Sequence, residues 1–120
     1  MQKSNNIKLH TFPEFVDERG SLVVWENYKL PFVPARTFMI SEVPESQTRA
    51  NHSVSSKLFL TAISGSVELV LDQEEPVLLT TKNEGVEVQE NTYIQLRNFK
   101  PNTMLLVFAE KPFDQTEYQK

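Results

Sequence analysis

The sequence predicts one all-β domain of 120 residues, a sandwich or a closed barrel. Three observations lead there. Helical periodicity is scarce, and short apolar runs of about 4–8 residues recur instead. Each run is closed by Pro, Gly, Asn or Asp, and the 7 prolines fall between runs, where a missing N–H removes no ladder bond. Finally, halves of this chain would be too small to bury sound cores without disulfides or metals, and it has no Cys.

The elements follow in order. Ile7–Phe12, Leu22–Glu26 and Arg36–Glu42 are the first strand candidates, the last closed by Pro44 and Glu45. Lys57–Ile63 reads as a more fully buried strand, and Ser64-Gly65-Ser66 supplies the glycine of a tight hairpin. Its partner, Ser66–Asp72, alternates most cleanly, with Val67, Leu69 and Leu71 against Ser66, Glu68 and Val70. Val77–Thr81, Val86–Gln89, Tyr93–Leu96 and Met104–Ala109 complete a set of about nine, with Pro101-Asn102 turning into the last. Such short, evenly spaced strands hide their edges by closure. Only the tail from Pro112 to Tyr118 offers a helical turn, with Asp114 near its start. No repeat or linker interrupts the chain, so residues 1–120 are read as a single domain.

Composition excludes several functions. Without cysteine there are no zinc ribbons, iron–sulfur clusters or thiol nucleophiles. A net charge of −4 disfavours nucleic acid, which is met by a basic face. No run approaches the ~18 apolar residues of a membrane span, and Met1–Phe12 lacks the apolar stretch of a signal peptide. A cytoplasmic protein without membrane contact is expected.

There are two histidines. His10 lies on the first strand and reads as a structural or surface residue. His52 follows a polar loop, just before a buried strand, and shares its segment with Arg49 and Asn51. An imidazole with an ordinary pKa of ~6.5 suits proton shuttling. A metal site is disfavoured: the position two after His52 is Val54, no carboxylate follows until Glu68, and one imidazole does not hold a divalent ion. No glycine-rich phosphate loop exists, so bound phosphate must be met by arginine forks. Arg19, Arg36, Arg49 and Arg97 are the candidates. Arg36 and Arg49 stand out because each adjoins an apolar strand. Tyr93 sits on a strand of mixed character, where its hydroxyl could face a cavity.

In order along the chain stand Asp17-Glu18-Arg19-Gly20-Ser21-Leu22, Pro31-Phe32, Arg36, Val43-Pro44, Arg49 with His52, Ser64-Gly65-Ser66 and Val70-Leu71-Asp72. Tyr93-Ile94, Asn98-Phe99, Leu105–Ala109 and Phe113-Asp114 continue the series. Together they resemble the cupin-fold sugar 3,4-ketoisomerases, the WxcM-like family, over about Leu9 to Tyr118. The resemblance implies a cupin jelly-roll barrel, a homodimer, no metal or other cofactor, and a dTDP-linked sugar in the barrel mouth. It implies isomerisation of dTDP-4-dehydro-6-deoxyglucose through an enediol, in deoxysugar and surface polysaccharide biosynthesis.

Family members read Arg-Gly-x-His-Ala-His at the loop-to-strand segment, with both imidazoles on one face. Here the pattern departs. Counted from Arg49, His52 is the first His, Ala50 replaces the Gly, and Val54 stands where the second His belongs. Counted back from Ser64-Gly65, Asn51 and Ser53 take the His positions and His52 points away. The family's aromatic pair after the strand Arg is replaced by Phe38 and Met39, and a family Trp by Tyr93. Two readings of different class follow. One is a metal-independent isomerase using His52 and Tyr93 for proton transfer, with Arg36, Arg49 and Asn51 holding substrate. The other is a catalytically silent cupin that binds a nucleotide sugar or partners an active homologue.

Overall fold

The structure, a computed structural model, describes residues 7–26 and 29–112. Its strands are β1 (Ile7–Thr11), β2 (Glu14–Asp17), β3 (Gly20–Val23), β4 (Arg36–Ser41), β5 (Arg49–Ser53) and β6 (Leu58–Ser64). The rest are β7 (Val67–Leu71), β8 (Val77–Leu79), β9 (Glu84–Val88), β10 (Tyr93–Arg97) and β11 (Met104–Ala109). A five-stranded sheet, β1-β9-β6-β11-β4, faces a four-stranded one, β5-β10-β7-β8, and every pairing is antiparallel. This is the all-β jelly-roll barrel the sequence predicts. Among the described residues no helix is long and apolar enough to cross a membrane. The helical turn expected after Pro112 lies outside the described residues, as do Phe113 and Asp114.

Alternation builds the core. Val67, Leu69 and Leu71 point inward as expected and meet Leu60, Val86, Leu105 and Val107 between the sheets. Each such side chain stabilises the fold by roughly 1.5–3 kcal/mol, an upper figure because denatured chains are already partly compact. Strand β6 is buried on both faces. Its outward residue Phe59 starts a second cluster with Phe12, Leu30, Phe32 and Phe108, against which Trp25 packs. Phe59 meets Phe12 edge-on at 5.4 Å between ring centroids, and Trp25, Leu30 and Phe32 join them over the outer face of the larger sheet.

The hairpin glycine at 65 has a φ of +71°, and a side chain there would run into Thr103. The buried Thr103 Oγ1 donates to the carbonyls around it and accepts from Ser66 N–H at 3.0 Å, tying this hairpin to the turn before β11.

Two strands were not expected from the sequence. Strand β2 pairs only with β3 in a hairpin closed at Asp17 and Gly20, and its residues are all exposed. With no buried face it shows no periodic signal. Strand β5 is the other, and its composition, Arg-Ala-Asn-His-Ser, is polar enough to resemble a loop. Its strand conformation comes from β10, against which it is zipped.

Candidate active site

Between the two sheets lies a cavity of about 220 Å³. Its floor is aliphatic: Val54, Leu58, Leu60, Ile94, Leu96 and Val107. Arg36, Arg49, His52, Ser55 and Ser56 supply its polar groups. Among the described lining residues there is no carboxylate, so two guanidinium groups make the cavity electropositive and fit it for an anionic ligand.

Strand β4 brings Arg36, Phe38 and Ile40 to the cavity by simple alternation. The Arg36 guanidinium carbon lies 5.1 Å from the centre of the Phe38 ring, which restricts where the charge can sit.

Strand β5 needs an irregularity to do the same. Arg49 and His52 are three residues apart, an odd spacing that sends side chains to opposite faces of a regular strand. Against β10, His52 pairs with Ile94 and Ala50 with Gln95, so Asn51 is left over as a bulge. Ala50 and Asn51 take left-handed φ values of 73° and 61°. Beyond the bulge Arg49 pairs with Leu96. Ile94 and Leu96 both face the cavity, and so, across from them, do His52 and Arg49.

Of the two alignments read from the sequence, the one counted from Arg49 agrees with this geometry. His52 and Val54 line the cavity, and Val54 is only 6 % exposed. The His52 Nδ1–H donates to the Ser53 carbonyl oxygen at 3.0 Å. A carbonyl only accepts, so the neutral ring carries its hydrogen on Nδ1 and its basic lone pair on Nε2.

Two residues expected at the site, Asn51 and Tyr93, are not among those lining this cavity. Asn51 does not line the cavity: it is exposed, its Nδ2 donates to Thr48 Oγ1 at 3.0 Å, and its Oδ1 accepts from Gln95 Nε2 at 2.9 Å. It braces the bulge from outside. Tyr93 does not line it either. Alternation on β10 sends Ile94 and Leu96 inward and Tyr93 outward, where it is 37 % exposed and its N–H donates to Asp72. Arg19 and Arg97 are also away from the cavity, ion-paired with Asp17 and Glu68.

The sequence reading did not single out Ser55 and Ser56. The Ser56 hydroxyl donates to the Lys57 carbonyl and accepts from Lys111 N–H, so it stitches the cavity wall to the segment after β11. No periodic or motif signal marks either serine.

Relatives place this arrangement. Over residues 5–120 the chain matches the family model described as FdtA, WxcM-like, C-terminal. Its fold superposes on the sugar 3,4-ketoisomerase QdtA of Thermoanaerobacterium thermosaccharolyticum in complex with TDP, with a TM-score of 0.88 and 27 % identity over 94 % of this chain and 86 % of that one. A point mutant of that enzyme in complex with TDP-4-keto-6-deoxyglucose matches with a TM-score of 0.88 and 25 % identity, over 95 % and 86 %. A 3,4-ketoisomerase from Helicobacter canadensis matches with a TM-score of 0.86 and 29 % identity, over 93 % and 88 %. No curated protein sequence matches the chain. With all of its described residues inside the matched stretch, the chain belongs to the FdtA, WxcM-like C-terminal, family.

Proposed function

We propose that this protein is a 3,4-ketoisomerase of a dTDP-linked 4-keto-6-deoxy sugar, serving deoxysugar and surface polysaccharide biosynthesis. The observation that carries the reading is the convergence of Arg36, Arg49 and His52 on one apolar cavity. The arginines contact sugar or phosphate oxygens bidentately. The aliphatic floor takes the deoxy sugar's methyl side. His52 Nε2 moves the proton, and the neighbouring guanidinium groups favour the negative charge that develops on the enediolate oxygens. The active unit is a homodimer, a reading supported by the β2–β3 hairpin, where Phe15, Val16 and Leu22 are 59, 72 and 59 % exposed. Its compartment is the cytoplasm, where its substrate would be met.

The test is incubation with dTDP-4-dehydro-6-deoxyglucose in D₂O, with C3 and C4 followed by NMR. A new keto sugar or deuterium exchange that disappears in His52→Ala supports the reading. Saturable binding without either sinks it. That result would favour the second reading, a silent nucleotide-sugar binder, for which the specific observation is Val54 at the place of the family's second imidazole.

A further inference from the structure

The cavity between the sheets is divided into a charged rim and an aliphatic floor. Its two guanidinium groups stand on β4 and β5, the strands that end the two sheets, with Arg36 half-buried and Arg49 exposed. The floor stands on central strands: Leu58 and Leu60 on β6, Ile94 and Leu96 on β10, and Val107 on β11, all of them buried. Val54, just beyond β5, adds another buried aliphatic group. Strands β6, β10 and β11 are each paired on both sides, so their backbone N–H and C=O groups are engaged in the ladders. The buried Ser56 hydroxyl is engaged too, donating to the Lys57 carbonyl and accepting from Lys111 N–H.

This floor suits a hydrocarbon better than a sugar ring. The methyl of a 6-deoxy sugar covers part of it, but a hydroxyl turned toward it loses water and meets only carbon. The complementary ligand has an anionic head for the arginine forks and an aliphatic tail for the floor. Length follows from volume. A cavity of ~150 Å³ lined by Leu, Ile and Phe takes a benzene ring, so one of about 220 Å³ takes roughly eight carbons.

We propose that the cavity is also a binding site for aliphatic anions, carboxylates or phosphate monoesters carrying a single chain of roughly eight carbons. Arg36 and Arg49 hold the head, and the tail lies between β6, β10 and β11. This goes beyond the ketoisomerase reading and does not rest on it.

The test is calorimetric titration of the unaltered protein with butanoate, hexanoate, octanoate and decanoate, and with octyl phosphate and octan-1-ol. Affinity is expected to rise about fourfold with each added methylene until the chain reaches roughly eight carbons, then to level off. Octan-1-ol should bind about tenfold or more weakly than octanoate, for want of a charge to meet the guanidinium groups. Either anionic head supports the proposal, and the tighter of octanoate and octyl phosphate identifies it. In methyl NMR spectra octanoate should shift Leu58, Leu60, Ile94 and Leu96 and leave the exposed Leu9 and Leu78 unmoved. Affinity that ignores chain length, octan-1-ol bound as tightly as octanoate, shifts confined to Leu9 and Leu78, or no saturable binding at all would each overturn it. None of these outcomes involves a nucleotide sugar, so failure here leaves the ketoisomerase reading standing.

Discussion

The Nε2–H of His10 donates to Oε1 of the buried Glu87 at 2.9 Å, diagonally across the β1–β9 ladder. Gln89 Nε2 donates to the other carboxylate oxygen, also at 2.9 Å. Burial pushes the Glu87 carboxyl up, but the hydrogen bonds from His10 and Gln89 and the charge of Lys8 outweigh it. The net effect holds the group below its ordinary 4.5.

A carboxyl with a depressed folded-state pKa adds stability that is complete above its unfolded value and is lost as pH falls through the folded one. Urea midpoints are therefore expected to hold near neutrality and to decline below about pH 4.5, the group's ordinary value. In Glu87→Gln that acid limb should shrink. At pH 7, His10→Ala should cost about 1–3 kcal/mol, because it leaves a buried carboxylate short of a donor. An unchanged midpoint would deny the contact any role.

Ala50 holds a φ of 73°, in the left-handed region that favours glycine. Ala50→Gly should raise stability by about 0.5–1 kcal/mol, the relieved strain exceeding the extra freedom of the unfolded chain. Ala50→Val should lower it by more than 1 kcal/mol or so, since a β-branched residue tolerates that region worst. Thermal melts of the pair should bracket the parent protein.

Gly85 on β9 has no room for a side chain. An added methyl would run into the edge of the Phe59 ring and stand 2.7 Å from the Leu60 carbonyl oxygen. Gly85→Ala should cost about 1–3 kcal/mol through overpacking. Near-UV circular dichroism should report the displaced aromatic cluster, and a midpoint equal to that of the parent would refute the packing.

Arg36 and Arg49 should each contribute to nucleotide binding. Calorimetric titration of dTDP into Arg36→Ala or Arg49→Ala is expected to show affinity lower by about 10-fold or more, the value of a charged hydrogen bond of ~1.5–3 kcal/mol. Parental affinity in both variants would place the phosphates elsewhere.

Val54→His would put a second imidazole into the cavity. If proton transfer limits turnover, initial rates followed by NMR should rise by roughly 10–10²-fold, at the lower end of what a positioned acid or base contributes. Thermal melts should show a modest loss, because Val54 is 6 % exposed and an imidazole there must find a partner. A folded variant no faster than the parent would show that His52 already suffices.

The class of fold was legible because alternation speaks directly of burial: Val67, Leu69 and Leu71 are apolar since they face the core between the sheets. Turn chemistry was legible at Gly65, where only a residue without a side chain fits against Thr103. The candidacy of Arg36, Arg49 and His52 could also be read from residue type and order. What chain order could not decide is which way those side chains point. An extra residue at Asn51 shifts the parity of β5, and that bulge exists only in relation to its partner strand β10. The same shift carries Asn51 out of the cavity, and the regular alternation of β10 carries Tyr93 out. Side-chain direction along a strand follows from pairing, and pairing is a property of two segments, so only the assembled barrel could say which residues share the cavity.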